Sequence, residues 1–112
     1  MLALALSLQL VVVDGDTLKQ GGAYIRIENI DAPESGWRAN CDAERMLAIK
    51  AADTLAALIN GAKVDVIATG VDRYGRTLAR VSADGADVGD TLVRAHVAAP
   101  WRGRRHEWCA AP

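Results

Sequence analysis

The stretch VVVDGDTLKQGGAYIRIENIDAPE, residues 11–34, decides most of the fold. Its three valines end an apolar run that predicts a first strand over residues 4–13. A hairpin follows, with a short strand at 17–19, a glycine turn at 21–22 and a strand over about 24–29. The stretch therefore predicts three consecutive strands.

The segment after the following loop predicts a long helix. Asn40 is a good N-cap, Asp42 and Glu44 place negative charge in the first turn, and Asn60-Gly61 ends the helix. Alanines fill much of the helix surface. The predicted buried face is an apolar stripe of Met46, Ile49, Leu55, Leu58 and Ile59.

Two further strands, at 64–68 and 76–82, precede a short second helix. Asp87 caps this helix, Asp90 is its capping-box partner, and the helix ends near His96. Five short strands in so small a chain can bury their edges by curling into a barrel. We therefore predict a mainly β, α+β fold: a five-stranded OB-fold barrel whose first helix plugs one end.

Length and composition limit the classes of protein. A chain of 112 residues predicts a single domain over 1–112, whose residues 100–112 form an irregular basic tail. A net charge of -1 does not indicate a general polyanion binder, so contact with nucleic acid requires a local basic patch. We predict no membrane segment. We interpret the opening MLALALSLQL mainly as part of the first strand, with the remnant of a trimmed signal region as the alternative.

Three charged patches interrupt this apolar pattern. In the first, Asp14 and Asp16 flank Gly15; on one strand they would share a face, but Asp-Gly is also an ordinary turn. In the second, Arg26 and Asp31 are five residues apart, so a bend near Asn29 is needed to bring them together.

The third patch, DRYGRTLA at 72–79, holds Arg76 at the start of a strand. A solvated surface arginine is the alternative there.

Taken together, DGDT at 14–17, RIENIDAPE at 26–34 and DRYGRTLA at 72–79 resemble the staphylococcal nuclease (thermonuclease) family. The softer DGADVGDTLVRA at 84–95 fits the same pattern. The resemblance implies an OB-fold phosphodiesterase that depends on Ca²⁺ and cleaves DNA, RNA or both. Its products would carry a 3′-phosphate and a 5′-hydroxyl.

The resemblance also implies a metal site. Asp16 and Asp31 would be the direct carboxylate ligands, the backbone carbonyl of Ala32 a third ligand, and Asp14 a neighbour that acts through a water molecule. Two carboxylates, a carbonyl and waters suit Ca²⁺, which prefers hard oxygen ligands.

The same resemblance implies three catalytic residues. Glu34 would be the general base that activates water, and Arg26 and Arg76 would clamp the phosphate, whose negative charge grows as water attacks. A second set would bind the substrate: Tyr74 along the nucleotide, with Arg73, and Trp101 in place of the family's stacking tyrosines.

The sequence departs from the family at two places. After WRGRRHEWC at 101–109, the sequence has no counterpart of the family's long C-terminal helix. His96 stands where the family often has glycine, which predicts strain at the end of the second helix.

The two cysteines, Cys41 and Cys109, fit no metal-binding spacing. They are either two buried thiols or one disulfide that ties the tail to the body, and the disulfide is the interpretation we favour. A disulfide and the family resemblance would favour a secreted or periplasmic protein.

Two functions compete. The first is a monomeric phosphodiesterase, a hydrolase that acts as an endonuclease and needs no obligate protein partner. The second is a catalytically silent module that binds nucleic acid or protein. A silent relative would be expected to lose Arg26, Glu34 or Arg76, and this chain has all three, which favours the enzyme.

Overall fold

The computed structural model describes residues 9–109. Its strands are β1 Leu10–Asp14, β2 Thr17–Gln20, β3 Ala23–Ile27, β4 Ile30–Asp31, β5 Val64–Val71, β6 Thr77–Ala83, β7 Ala86–Asp87 and β8 Ala99–Pro100. Its helices are α1 Asp42–Ile59 and α2 Val88–Arg94, and a 3-10 turn spans Gly36–Arg38.

The main sheet is mixed. Its strands lie in the order β1-β2-β3-β6-β5, and β7 pairs with β6. Only β3 and β6 are parallel, because α1 and β5 lie between them in the chain and provide the long crossover that a parallel pair needs. A second, two-stranded sheet joins β4 to β8. This mixed sheet with two helices confirms the predicted α+β class, and it is consistent with an OB-like fold. Within residues 9–109, no pairing joins β1 to β5 to close a barrel.

The observed strands differ from the predicted ones in several places. Residues 4–8 of the predicted first strand lie outside the described part of the chain. Strand β5 continues to Val71 because a register shift between Ala68 and Gly70 absorbs an extra residue while pairing with β6 goes on. The β4–β8 pair was not predicted, because a strand of two residues is too short to show an alternation of apolar and polar residues.

The buried face of α1 matches the predicted stripe in part: Leu55 is in the core, and Leu58 and Ile59 pack against it. Met46 and Ile49 are 69% and 60% exposed, whereas Ala48, Ala51 and Leu55 are buried. The small alanine side chains let the helix approach the sheet closely, so proximity rather than side-chain size selects this face. The core is aliphatic: it includes Leu18, Ile25, Ile27, Ile30, Val81, Val88 and Leu92.

Gly15 shows how close this approach is. A Cβ built at Gly15 would lie 2.6 Å from the Cβ of Ala51 and 2.9 Å from the Cβ of Ala32. The turn after β1 is therefore held directly against α1, and only glycine fits without a shift.

The N-cap of α1 is Cys41, not the predicted Asn40. The Sγ of Cys41 accepts a hydrogen bond from the backbone N–H of Glu44. Cys41 is also bonded to Cys109, so a disulfide joins the start of α1 to the tail. Between the two alternatives for the cysteines, the structure contains the disulfide.

Helix α2 begins as predicted: the side chain of its N-cap, Asp87, accepts a hydrogen bond from the backbone N–H of Asp90. It ends at Arg94, and His96 then adopts a left-handed backbone with φ of 61°. The backbone of His96 therefore differs from that of an ordinary residue, as predicted, because only a few per cent of non-glycine residues adopt this conformation, with histidine, asparagine and aspartate the most frequent among them. No helix within residues 9–109 is long and apolar enough to cross a membrane.

Candidate active site

The first two aspartates lie at a turn. Asp14 ends β1 and is paired with Thr17 of β2, so Gly15 and Asp16 form the turn between the strands. The N–H of Asp16 donates to Oδ1 of Asp14 at 3.3 Å. The turn interpretation is therefore correct, and the shared strand face is wrong because the strand ends at Asp14.

Asp16 nevertheless points into the protein. Its Oδ2 accepts a hydrogen bond of 2.9 Å from the N–H of Ala32, and its Oδ1 accepts one of 2.9 Å from Oγ1 of Thr17. The turn thus delivers a buried carboxylate to the loop that begins at Ala32.

Arg26 lies between Asp16 and Asp31. Its side chain is largely buried, and its Nη2 lies 3.7 Å from Oδ2 of Asp16 and 3.9 Å from Oδ1 of Asp31. Its Nη1 donates to the carbonyl of Ile27 at 2.7 Å. The predicted bend is present, because β3 ends at Ile27 and β4 begins at Ile30. This break allows Arg26 and Asp31 to face each other although they are five residues apart.

The tail after α2 covers this cluster. The backbone N–H of His106 donates to Oδ2 of Asp31 at 2.8 Å. The ring of Trp101 lies 5.0 Å from the guanidinium carbon of Arg26, within the range of a cation–π contact. The N–H of Trp101 donates to the carbonyl of Asn29, which fixes the backbone there.

Glu34 lies in the loop before α1 and is half-buried. Its Oε1 is 3.7 Å from Nε of Arg105, and its N–H donates to Oε2 of Glu44 at 2.8 Å. Nη2 of Arg105 contacts that same Glu44 oxygen at 2.8 Å. Glu34 is therefore connected to both α1 and the tail.

Four carboxylates interact electrostatically in this region. Burial, followed by the charge of Asp16, raises the pKa of Asp14 to about 7. Burial also raises the pKa values of Asp31 and Glu34, and the charge of Asp16 adds to both effects. Such mutual repulsion favours a bound cation, which would stabilise the ionised forms.

The oxygen atoms of the proposed ligands are chemically suited to Ca²⁺. The donor set consists of oxygen atoms alone, which Ca²⁺ prefers, and each carboxylate oxygen has lone pairs beyond the hydrogen bonds it already accepts. Among the described residues, no group of three or more His, Cys, Asp or Glu side chains is arranged to hold a metal ion. A site built on Asp16, Asp31 and a carbonyl therefore stays a prediction.

Arg76 forms a separate cluster. Its Nε donates a hydrogen bond to Oδ2 of Asp72 at 2.7 Å. Oδ1 of Asp72 accepts hydrogen bonds from the backbone N–H groups of Tyr74 and Arg76, at 2.9 Å each. Tyr74 and Arg73 are exposed and contact each other, with 2.9 Å between Arg73 Nη2 and the tyrosine hydroxyl. Within the described residues, no ion pair or hydrogen bond joins Arg76 to Arg26, Asp16 or Glu34.

The sheet register nevertheless brings the two arginines near each other. Thr77 and Leu78 of β6 pair with Ile25 and Arg26 of β3. Arg76 directly precedes Thr77, so its Cα lies two positions along the neighbouring strand, about 8 Å from that of Arg26 at ordinary strand spacings. The Arg76 cluster therefore lies at the start of β6, next to the strand that carries Arg26.

Sequence reasoning missed Asp72, Glu44 and Arg105 as parts of the site. The i,i+4 spacing of Asp72 and Arg76 was a usable signal for an ion pair. Glu44 was interpreted only as a first-turn acid, and Arg105 only as part of a basic tail. Nothing local in the sequence indicates that these last two meet, because 61 positions separate them.

The mixed sheet and its two helices define an α+β protein that is consistent with an OB-like fold, and its described residues include a buried acid–arginine cluster. The family model for the staphylococcal nuclease homologue matches residues 24–107, and the chain belongs to this family. A comparison with curated proteins gives no match. The family match begins after Asp14 and Asp16. The membership of Asp16 in the site therefore rests on its contacts with Ala32 and Arg26, and that of Asp14 on its hydrogen bond with Asp16.

Proposed function

We propose that this protein is a calcium-dependent nuclease that hydrolyses phosphodiester bonds of DNA, RNA or both. One observation carries the proposal: the buried Arg26 is held between Asp16 and Asp31. An arginine that is both desolvated and fixed is suited to bind a phosphate, while the carboxylates beside it are suited to bind a cation.

In this mechanism, Arg26 and Arg76 bind the scissile phosphate and stabilise the negative charge that grows on its oxygens. Arg26 is oriented by the Ile27 carbonyl, and Arg76 by Asp72. Guanidinium groups that are already fixed lose little conformational entropy when the phosphate binds. More of their interaction energy is therefore available to stabilise the transition state.

Glu34 is the proposed general base. It takes a proton from the attacking water, the water oxygen bonds to phosphorus, and the bond from phosphorus to the 5′-oxygen breaks. That oxygen is protonated from solvent, which leaves a 5′-hydroxyl and a 3′-phosphate. Burial raises the pKa of Glu34, which makes it a stronger base than an exposed glutamate.

Asp16, Asp31 and the carbonyl of Ala32 would hold Ca²⁺, with Asp14 acting through water, and the bound ion would supply positive charge next to the phosphate. Trp101 is proposed to stack on a base. It is 42% exposed and already lies against Arg26, so a nucleotide bound at the arginine would reach its ring. Tyr74 and Arg73 are proposed to bind the chain further along.

We also propose that the protein acts as a monomer in an oxidising compartment, outside the cytoplasm. The Cys41–Cys109 disulfide supports the oxidising compartment, because such bonds persist mainly where the environment is oxidising.

A binding module without catalysis is the second candidate. One observation favours it: the tail contacts both Asp31 and Glu34, which would have to remain available in an enzyme. In that case the protein would bind nucleic acid and leave it intact.

Cleavage of a labelled single-stranded oligonucleotide, with Ca²⁺ and then with a chelator, tests the proposal. We expect cleavage that stops with chelator, and products with a 3′-phosphate. Binding without cleavage at every Ca²⁺ concentration would contradict the nuclease and support the binding module.

A further inference from the structure

We infer that Glu44 and Arg105 form a positioning pair that fixes Glu34, with the Cys41–Cys109 disulfide holding the pair together. The inference rests on the proposed function of Glu34 as general base. It assigns a role to two residues that touch neither the phosphate nor the cation.

Glu44 fastens the loop that presents Glu34. Its side chain is buried, with 1% of the residue exposed. Oε2 accepts the N–H of Glu34 at 2.8 Å, and Oε1 accepts the N–H of Asn40 at 2.8 Å. One carboxylate thus closes both ends of the 34–40 loop, and the loop cannot shift without breaking a buried, charge-assisted hydrogen bond.

A buried carboxylate requires a positive partner, and Arg105 supplies it. Arg105 Nη2 donates to Oε2 of Glu44 at 2.8 Å. Burial acts to raise the pKa of Glu44, but the hydrogen bonds from Asn40, Glu34 and Arg105 outweigh it and hold that pKa below its usual value. Glu44 therefore stays ionised, and both of its oxygens remain hydrogen-bond acceptors.

Arg105 also reaches the side chain of Glu34. Its Nε lies 3.7 Å from Oε1 of Glu34. The same planar guanidinium thus contacts the glutamate that anchors the Glu34 backbone and the carboxylate of Glu34 itself. Two points of attachment fix the direction of a side chain that would otherwise sample several rotamers.

The disulfide holds the two halves of the pair together. Cys41 lies three residues before Glu44 and Cys109 four residues after Arg105, and the two cysteines are bonded. The N–H of His106, next to Arg105, is bound to Asp31. Before Arg105, the N–H of Trp101 is bound to the carbonyl of Asn29. The tail is therefore attached on both sides of Arg105, which keeps the arginine at the site.

Variants of Arg105 test the inference, because its side chain is partly exposed and lies outside the hydrophobic core. In the full chain at saturating Ca²⁺, we expect Arg105→Ala to lower kcat about 10-fold or more, since a misplacement of about 1 Å can cost 10²-fold. KM should stay within about twofold, because Arg105 is not proposed to contact substrate. Arg105→Lys should recover part of the kcat.

Arg104→Ala is the matched control, since Arg104 is the neighbouring exposed arginine and no ion pair among the described residues includes it. It should keep wild-type kcat and KM. Glu44→Gln, which loses the charge and keeps the shape, should lower kcat as Arg105→Ala does. If Glu44→Gln fails to fold, the Arg105 variants decide.

Three results would overturn the positioning role. A higher kcat in Arg105→Ala would mean that the tail blocks Glu34 instead of orienting it. An unchanged kcat would mean that the contact has no role in turnover, and a loss confined to KM would mean that Arg105 binds substrate. A wild-type protein that never cleaves would instead contradict the proposed function, on which the pair depends.

Discussion

At the scale of single residues, Glu34 tests the chemistry most directly. Glu34→Gln keeps the shape of the side chain and removes its basicity, so kcat should fall by at least about 10²-fold while oligonucleotide binding stays nearly unchanged. The measurement is cleavage of a labelled oligonucleotide at saturating Ca²⁺, with binding followed by anisotropy.

Asp53→Asn removes one negative charge from the exposed face of α1 and should not change turnover. If Glu34→Gln cleaves as fast as the wild type, Glu34 is not the general base.

His96 tests backbone strain in one residue. Its φ of 61° costs an L-residue about 1–2 kcal/mol, whereas glycine adopts this conformation freely. His96→Gly should therefore raise the free energy of unfolding by about 0.5–1 kcal/mol, after the entropy that glycine gains in the unfolded chain is subtracted. Urea denaturation measures it.

The neighbouring Ala95 has a right-handed helical backbone, with φ of -79°. Ala95→Gly should therefore be destabilising, by about 0.5–1 kcal/mol. Opposite signs for the two glycine variants are the expected result; equal destabilisation would show that His96 makes contacts that outweigh its strain.

At the scale of elements, the contact between α1 and the turn after β1 determines where Asp16 lies. A Cβ at Gly15 would overlap Ala51 and Ala32, so Gly15→Ala should destabilise the protein by about 1–3 kcal/mol through overpacking. Gly22→Ala is the control, because a Cβ at Gly22 meets nothing within 4 Å. Similar free energies of unfolding for the two variants would contradict the close packing of α1.

The N-terminus of α2 gives a pH-dependent prediction. Burial acts to raise the pKa of Asp87, but hydrogen bonds from the N–H of Asp90, from Asn29 and from Arg80 outweigh it, so the pKa is lowered. A carboxylate with a lowered pKa stabilises the folded state above its unfolded pKa, about 3.9 for aspartate. This stability is lost as the pH falls from there through the pKa of the folded state.

Unfolding free energies at several pH values, for wild type and Asp87→Asn, check this prediction. Asparagine still caps a helix but does not titrate, so the difference between the two proteins should shrink as the pH falls below about 4. A difference that stays constant with pH would contradict it.

The elements also show what the sequence could predict. Caps and turns are local, so the starts of α2 and β2 and the end of α1 were predicted nearly to the residue. The buried face of α1 was predicted at Leu55, Leu58 and Ile59 but not at its alanines, because Ala51 is buried by the proximity of the turn at Gly15 and not by its own hydrophobicity. Likewise, the odd spacing of Arg26 and Asp31 indicated that their contact requires a bend near Asn29, and the structure has this bend. Glu44 and Arg105, in contrast, meet only through the path of the tail.

At the scale of the whole molecule, one covalent bond joins the tail to the body. The Cys41–Cys109 disulfide spans a separation of 68 residues, which is most of the described chain. In the chain-entropy model, closing so long a loop stabilises the folded state by about 4 kcal/mol. That is a large fraction of the roughly 5–15 kcal/mol typical of a whole domain.

The double variant Cys41→Ser/Cys109→Ser should therefore lose about 4 kcal/mol of unfolding free energy in denaturant titrations. Serine is itself a good N-cap, so the start of α1 keeps its cap and the loss reports the cross-link. Wild type with reductant is the control and should match the double variant. The ion pair of Arg105 with Glu44 and the hydrogen bond from His106 to Asp31 also hold the tail. A loss under about 1 kcal/mol would show that these contacts, and not the disulfide, fix the tail over the site.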